Sequence, residues 1–372
     1  HIDKLKERKA LLQTRCRQGA FPIIYVNLVG GQDELVFDGD SMVVDAEGCC
    51  CFLAPSFKEN LYPVSINIRA EGDIELSGKL IAPDLNLEQS VYQSLVLGVK
   101  DYVKKNQFAG VVLGLSGGID SALTLAIATD ALGADKVQAV MMPFEYTSKL
   151  SLDAAAKQAK RLSVKYTLVP INEVYEAFMS ALDEEFADTD PDVSEQNLQS
   201  RSRGVILMGI SNKKGLLVLT TGNKSEIAVG YSTLYGDMAG GFNVLKDVSK
   251  TLVYELCRYR NRLEAGKGRD IIPPEVIDRA PSAELLPGQS DEDSLPPYKV
   301  LDKILELYVE KDFSAEAIIH QGFDEKVVRH VIQLVDRNEY KRRQSPVGIR
   351  LTKRGFGRDR RYPITNAWKI GD

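Results

Sequence analysis

The chain has 372 residues, of which 44% are hydrophobic and 27% charged, with a formal net charge of −5 and a pI near 5.5. This length allows a large core and favours two domains over one. Acidic and basic residues are interspersed, which gives no support to a nucleic-acid or acidic-membrane partner. No apolar run approaches a membrane span and the N-terminus resembles no signal peptide, so we expect a cytoplasmic protein.

The five cysteines suit neither a disulfide framework nor a zinc site. Cys49, Cys50 and Cys51 are adjacent, whereas Cys16 and Cys257 lie far from them in the sequence. This spacing matches no common bridging or metal-binding pattern. We therefore expect reduced thiols, with Cys16 in a structural or incidental role.

The first part of the chain has a β-rich pattern. A charged, helix-like stretch over residues 4–17 is followed by short β-type runs at 23–26, 35–37, 41–44 and 64–68, separated by Gly and Asp turns. Asp84 or Asn86 then opens a helix that runs through Tyr102. The predicted domains are therefore 1–84 and 85–372.

After this boundary, apolar strands alternate with helices. Strands are predicted at 110–115, 137–142, 166–169 and 216–220, and helices at 120–132, 153–162 and 172–186. The alternation predicts an α/β fold, a parallel sheet covered by helices on both faces. Residues after 291 are predicted to form helices with a basic tail, and the stretches 188–194 and 287–297 to form mobile loops.

A glycine-containing loop follows the first strand of this alternation. Its six residues, Ser116-Gly117-Gly118-Ile119-Asp120-Ser121, lead straight into a helix. The glycines allow a tight turn whose amides point at an anion, and the serines add hydroxyl donors. The loop has neither the Gly-Lys-Ser/Thr end of a P-loop nor the third glycine of a dinucleotide fold. A bare Ser-Gly-Gly could also be a helix start with Ser116 or Asp120 as its N-cap, but the complete stretch favours a phosphate loop.

The carboxylate of Asp120 at this helix start implies a metal. Phosphates would repel Asp120 unless Mg²⁺ lies between them. The whole loop resembles the signature of the ATP pyrophosphatases, in which it grips the β- and γ-phosphates while AMP is transferred to the substrate.

A second polar region follows the strand at 216–220. It comprises residues 221–226 and 230–237, and open α/β sheets bind their ligands at such carboxyl ends of strands. Together with the phosphate loop and residues 195–203, it closely resembles the NAD⁺ synthetase family, which amidates deamido-NAD (nicotinic acid adenine dinucleotide). The resemblance extends to residues 281–285, 289–293 and 338–343, and covers essentially the whole chain from Leu87.

The resemblance implies a role for individual residues. ATP would be bound by Gly114, Leu115, Ser116, Gly117, Gly118, Ile119, Asp120, Ser121, Thr221, Lys250 and Ser282. Deamido-NAD would lie at or near Asn197, Arg201, Glu226, Asp237 and Lys341. Asp120 and Glu226 would ligate Mg²⁺. Without the motif context, Lys250 and Lys341 would be interpreted as solvated surface lysines.

The implied chemistry is adenylation followed by amide formation. Adenylation converts a carboxylate into a mixed anhydride, Mg²⁺ and lysine stabilise the departing pyrophosphate, and ammonia then displaces AMP. No side chain is nominated as a nucleophile, so positioning and electrostatics are expected to carry catalysis. One residue departs from the family pattern, because ammonia-dependent members have His-Lys where this chain has Tyr340-Lys341.

Residues 1–4 and 25–39 resemble the later half of a nitrilase-type glutaminase domain, an α-β-β-α sandwich fused to the synthetase. Such domains use a Glu-Lys-Cys triad, which in the family precedes the segment that starts at His1. No glutaminase nucleophile is therefore nominated, and Lys4 aligns with a family lysine that helps bind glutamine. We expect a fragment or shortened form of a glutamine-dependent enzyme. It would use ammonia from glutamine in the full-length enzyme or free ammonia, and form a homo-oligomer through its synthetase domain.

Two other functions remain open. The chain could be another ammonia-using ATP pyrophosphatase, similar to GMP or asparagine synthetase. It could also be a nucleotide-binding module that keeps the loop without turnover. The acidic pI argues against a tRNA-modifying enzyme.

Overall fold

The structure is a computed structural model that describes residues 1–70, 74–77 and 80–365. The chain divides into two compact units, His1–Tyr102 and Val103–Asp372. The strands are β1 (Ile23–Tyr25), β2 (Val29–Gln32), β3 (Leu35–Asp38), β4 (Met42–Val44), β5 (Cys50–Leu53), β6 (Ser65–Ile68), β7 (Ile74–Ser77), β8 (Gly110–Gly114), β9 (Val137–Met141), β10 (Lys165–Leu168), β11 (Leu216–Thr220) and β12 (Phe242–Asn243).

Most of the helices lie in the second unit. The α-helices are α1 (Lys4–Gly19), α2 (Leu87–Lys105), α3 (Ile119–Leu132), α4 (Lys149–Leu162), α5 (Asn172–Ala181), α6 (Val193–Lys214), α7 (Lys224–Val229), α8 (Lys250–Leu263), α9 (Pro274–Asp278), α10 (Tyr298–Leu305), α11 (Ala315–Ile319), α12 (Glu325–Arg337) and α13 (Glu339–Gln344). Short 3₁₀ or π turns cover Ala134–Lys136, Ala265–Lys267, Asp291–Asp293 and Glu306–Glu310.

The first unit is layered around the antiparallel sheet β1-β4-β5. Helix α1 packs on one face of this sheet, where Cys16 is buried beside Met42 and Val44. Leu76 of the β6–β7 hairpin is buried with Val43 on the other face. Alternate residues of β4 therefore point into two different cores, as the two-residue period of a strand requires. One helix layer and two strand layers agree with the part of the sandwich expected from the sequence.

The second unit is built on a parallel sheet with the strand order β10-β9-β8-β11-β12. Its central strands are mostly apolar and have almost no exposed surface, with Gln138 of β9 and Thr220 of β11 as buried polar residues. Such strands are typical of a sheet covered on both faces. The predicted parallel α/β fold is confirmed, and the four predicted strands lie within one residue of the observed bounds.

The C-terminal helices form a separate core next to α7. Ala228 and Val229 of α7 are buried with Leu301 of α10 and Val331 and Val335 of α12. Because α7 has only six residues, packing rather than intrinsic propensity must hold it in place. This matters because α7 begins in the polar region after β11.

Three predictions are corrected by the structure. Helix α5 ends at Ala181 rather than 186, because Asp183, Glu184 and Glu185 would lie unfavourably at its negative C-terminal end. The predicted loop 188–194 already contains the start of α6, where Asp192 accepts a 2.7 Å hydrogen bond from the Ser194 amide. The predicted loop 287–297 includes the 3₁₀ turn Asp291–Asp293.

Candidate functional site

The phosphate loop and the second polar region lie next to each other because β8 and β11 are neighbouring parallel strands. Chain connections from this pair run in opposite directions across the sheet, to β9 on one side and to β12 on the other. Loops at the carboxyl ends of such strands separate and leave a crevice, the usual ligand position in open α/β sheets. Residues 116–121 and 221–226 therefore form two walls of one site.

The phosphate loop is held by its own hydroxyl groups. The Ser116 and Ser121 oxygens are 3.1 Å apart, Ser116 Oγ accepts a 3.2 Å hydrogen bond from the Gly118 amide, and Ser121 Oγ donates to the Gly118 carbonyl over 2.9 Å. Helix α3 has Gly118 as its N-cap and receives no side-chain cap. The alternative of a helix start capped by Ser116 or Asp120 is therefore not what forms, and first-turn amides remain available for an anion.

Gly117 is required by the backbone of this loop. Its φ is +82°, and a Cβ at this position would lie 2.4 Å from the Ser151 carbonyl oxygen and 2.7 Å from Ser151 Cα. Both atoms belong to the backbone at the start of α4 and have little freedom to move. The glycine thus allows both the left-handed conformation and the close approach of α4.

Three charged residues from three segments converge beside the loop. Lys250 Nζ lies 2.6 Å from Asp120 Oδ2 and 2.9 Å from Glu226 Oε1, and it is 2% exposed as a residue. Asn223, the N-cap of α7, donates a 2.9 Å hydrogen bond to Asp120 Oδ1. Its side chain also accepts from the Glu226 amide, so it links both carboxylate-bearing helix starts.

The pKa values in this group are strongly shifted. Burial raises the pKa of Glu226 to about 7; the Lys250 charge opposes this shift and the Asp120 charge adds to it. Burial disfavours the ammonium form of Lys250, but the two carboxylates outweigh burial and leave its pKa raised. Lys250 is therefore protonated and compensates two acidic groups.

The carboxylates of Asp120 and Glu226 fit the expected Mg²⁺ by type, because carboxylate oxygen is a preferred Mg²⁺ ligand. One oxygen of each carboxylate is paired with Lys250 Nζ, and both side chains line the same cavity. Within the described residues there is no group of three or more His, Cys, Asp or Glu side chains that could hold a metal. In a Mg²⁺-nucleotide site, one or two protein carboxylates usually bind the metal together with oxygens of the substrate phosphates.

The site opens into a cavity of about 280 Å³. The predicted ATP residues all line it: Gly114, Leu115, Ser116, Gly117, Gly118, Ile119, Asp120, Ser121, Thr221, Lys250 and Ser282. Glu226 and Asp237 of the predicted dinucleotide residues line it as well. The surrounding protein raises the pKa of Asp237 to about 6 through burial, which the Thr233 amide and the Lys341 charge oppose.

The other predicted dinucleotide residues surround the segment 230–237 without lining the cavity. Lys341 Nζ donates to the carbonyls of Gly230 and Ser232 over 2.7 and 2.8 Å. Arg201 Nε donates to the Leu234 carbonyl, and Asn197 Oδ1 accepts from the Thr233 hydroxyl. Lys341 is thus not a solvated surface lysine.

Lys4 and Tyr340, which the sequence analysis also named, do not line this cavity. Lys4 belongs to the first unit, where its Nζ lies 3.4 Å from Glu7 Oε2. Tyr340, which replaces the family histidine, is 43% exposed and does not line the cavity.

Sequence reasoning missed two arginines in the cavity wall. Arg203 donates a 3.0 Å hydrogen bond to the Met142 carbonyl, and burial lowers its pKa to about 10. Arg279 donates to Ser151 Oγ and is paired with Glu284. Arg203 could have been found, because Ser200, Arg203, Gly204 and Leu207 have the i, i+3, i+4, i+7 spacing of one helix face and all line the cavity. No local pattern marks Arg279.

The cysteines and the helices bear on two general predictions from the sequence. All five cysteines are free, and Cys16 is completely buried. None of the described helices combines the length and apolar character that a bilayer crossing requires.

Comparison with known proteins places the chain in a family. Residues 91–345 match the family model for NAD synthase. A glutamine-dependent NAD(+) synthetase of Acinetobacter baylyi is 52% identical over 371 residues, which is 100% of this chain and 68% of that protein. The chain spans about two thirds of the length of the curated relatives it matches.

Solved structures give the same result. The glutamine-dependent NAD+ synthetase of Acinetobacter baumannii in complex with ADP is 50% identical with a TM-score of 0.72, covering 100% of this chain and 67% of that one. The NMN synthetase of Francisella tularensis is 27% identical with a TM-score of 0.57, covering 69% and 96%. The chain belongs to the NAD synthase family, in its glutamine-dependent branch.

Proposed function

We propose that this chain activates the carboxylate of deamido-NAD with ATP and transfers ammonia to it, which yields NAD⁺, AMP and pyrophosphate. The observation that carries the proposal is the convergence of the phosphate loop with Asp120, Lys250 and Glu226 in one cavity. The ADP bound by the Acinetobacter baumannii relative supports nucleotide binding in this family. The GMP- and asparagine-synthetase alternatives are not favoured by the comparisons.

In this proposal the phosphate loop holds the pyrophosphate end of ATP. The amides at the start of α3 and the hydroxyls of Ser116 and Ser121 donate to phosphate oxygens. Asp120 and Glu226 would hold Mg²⁺, which offsets phosphate charge and favours pyrophosphate departure. Lys250 keeps the two carboxylates together and adds a positive charge next to the leaving group.

The substrate carboxylate attacks the α-phosphorus of ATP, the bond to pyrophosphate breaks, and an acyl-adenylate forms. Ammonia then attacks the acyl carbon, AMP leaves with the bonding electrons, and the nitrogen releases one proton to give the neutral amide. We assign no covalent nucleophile, so rate acceleration comes from orientation and charge stabilisation. Asn197, Arg201 and Lys341 would shape the dinucleotide site through the segment 230–237, and Asp237 would face the substrate.

The test is formation of NAD⁺ by residues 1–372 from deamido-NAD, ATP and Mg²⁺, with either ammonium or glutamine as nitrogen donor. With ammonium we expect equal amounts of NAD⁺, AMP and pyrophosphate. With glutamine we expect none of these products, since none of the five cysteines is expected to act as a glutaminase nucleophile. ADP formation, or ATP binding without turnover, would refute the proposal. Activity with glutamine alone would restore a glutamine role for this polypeptide and for Lys4.

A second acceptor is a necessary control. Because one solved relative is an NMN synthetase, nicotinic acid mononucleotide should be compared with deamido-NAD at equal concentration. We expect at least a tenfold higher kcat/KM for the dinucleotide. A preference for the mononucleotide would reassign the acceptor without changing the ATP chemistry.

We also propose that the synthetase domain pairs with a second copy. Three of the predicted dinucleotide residues lie outside the cavity wall, which leaves room for another chain to complete that site. Light scattering at micromolar concentration, with and without deamido-NAD, should give twice the chain mass of 41.2 kDa. A monomer under both conditions would contradict the pairing.

A further inference from the structure

The charged group at the site depends on two helix starts that are far apart in sequence. Glu226 lies in the first turn of α7, and Lys250 is the first residue of α8. Their side chains meet at 2.9 Å only if the two helix starts keep a fixed separation. The short helix α7 cannot set that separation by itself.

Asp302 of α10 connects these two helix starts. One of its carboxylate oxygens, Oδ1, accepts a hydrogen bond from the Ser225 hydroxyl in α7, and the other, Oδ2, accepts one from the Thr251 amide in α8 over 2.8 Å. Ser225 Oγ in turn accepts a 2.9 Å hydrogen bond from the Lys250 amide. One carboxylate and one hydroxyl thus join the residues immediately beside Glu226 and Lys250.

The connection also replaces a missing helix cap. Ser249 precedes α8 but its side chain makes no capping hydrogen bond. The first amides of a helix need acceptors from outside the helix, and a negative charge near them is favourable. Ser225 and Asp302 supply those acceptors to Lys250 and Thr251, so capping of α8 and positioning of α7 are achieved by the same contacts.

Asp302 is not part of the cavity wall, and neither is Ser225. Helix α10 does approach the charged group, because the ring of its first residue, Tyr298, lies 5.2 Å from Lys250 Nζ. We infer that Asp302 is a positioning residue for the adenylation step, which fixes Glu226 against Lys250 by bridging the starts of α7 and α8. The inference rests on the proposed function and adds a residue that sequence resemblance did not single out.

The test compares four variants of the full chain: Asp302→Asn, Ser225→Ala, the double variant, and Asp336→Asn. Asn at 302 keeps one acceptor but places an amide NH₂ against either Ser225 or the Thr251 amide. Asp336 is the matched control, because it is also a partly buried carboxylate bonded to a hydroxyl, that of Tyr308 at 2.9 Å, but on α12.

Exchange of labelled pyrophosphate into ATP, dependent on deamido-NAD, measures the adenylation step. Displacement of a reacting group by about 1 Å can cost about a hundredfold in rate. We expect Asp302→Asn to lower kcat for exchange by about tenfold to a hundredfold, with KM for deamido-NAD changed by less than about threefold. Ser225→Ala should act similarly, and the double variant should be within about twofold of the slower single variant, because one connection is lost in each case.

The unfolding midpoint separates positioning from general stability. Asp336→Asn is expected to lower the midpoint as Asp302→Asn does while leaving kcat for exchange at the wild-type value. Equal kcat losses in the two variants, or multiplicative losses in the double variant, would overturn the inference. A wild-type chain without exchange or NAD⁺ formation would refute the proposed function, and the inference would fall with it.

Discussion

At the scale of single residues, the centre of the site is a buried lysine between two carboxylates. Removing one member of a buried ion group typically costs about 3–5 kcal/mol, because the remaining charges are left unpaired. Lys250 is almost completely buried, so water would not compensate the two carboxylates in a variant that lacks the lysine charge. Its position between Asp120 and Glu226 is also where a bound cation would be attracted.

We therefore predict a metal-dependent stability for Lys250→Met. The variant should lose activity by more than about a hundredfold and unfold at a lower temperature than the wild type. Mg²⁺ at millimolar concentration should raise its midpoint by more than it raises the wild-type midpoint, because the carboxylate pair is no longer neutralised by lysine. Equal Mg²⁺ effects in both proteins, measured by thermal unfolding without nucleotide, would contradict this.

A second buried carboxylate, Asp40, predicts a pH effect in the first unit. It is 3% exposed, its backbone has a φ of +50°, and Ser56 donates a 2.5 Å hydrogen bond to it. Burial raises the pKa of Asp40 to about 6 against its usual 3.8. The folded chain therefore retains a proton that the unfolded chain loses, and rising pH between about 4 and about 6 reduces stability.

The substitution Asp40→Asn removes this ionisation, and asparagine tolerates the left-handed backbone. The first unit of the variant should be more stable than wild type by ~3 kcal/mol at pH 8, and the difference should disappear near pH 4. Amide hydrogen exchange of peptides covering β4 and β5 at both pH values measures this. A variant that is less stable at pH 8 would show that the ionised Asp40 is favourable.

At the scale of elements, the strand-loop-helix units were predictable because their signals are local. The run 110–115 is apolar throughout. Gly117 and Gly118, which follow it after Ser116, indicate both a tight turn and a phosphate-binding loop. Helices α6 and α8 were not assigned, although Val253, Leu256, Cys257 and Arg260 have helical spacing. The pairing of Lys250 with Asp120 joins residues 130 positions apart, and no local pattern specifies such a tertiary contact.

The phosphate loop gives a prediction at this scale. Gly117→Ala would force a Cβ into the backbone of Ser151, so the loop must shift by a large fraction of an ångström. We expect ATP affinity to fall by at least about tenfold and pyrophosphate exchange to be lost. Gly209→Ala is the control, because a Cβ there meets nothing within 4 Å and alanine favours the interior of α6 by about 0.5–1 kcal/mol. Calorimetric ATP titration that finds equal affinity for both variants would refute the requirement for glycine.

At the scale of the whole molecule, the position of the domain boundary differs between the sequence prediction and the division into compact units. The boundary expected from the sequence lies between Asp84 and Leu85, whereas the compact units meet after Tyr102, within α2. The match to the NAD synthase family begins at residue 91, which is also within α2. We therefore expect α2 to belong to the synthetase, and the boundary before Leu85 stays a prediction.

Two shortened chains, residues 85–372 and 103–372, distinguish these boundaries. Starting at 103 leaves only the last three residues of α2 and removes the part of this helix with which the match to the NAD synthase family begins. We expect 85–372 to unfold in one cooperative transition and to form NAD⁺ from ammonium, and 103–372 to be unstable or inactive. Equal stability and activity of the two would place the boundary after Tyr102, because α2 would then be dispensable for the synthetase.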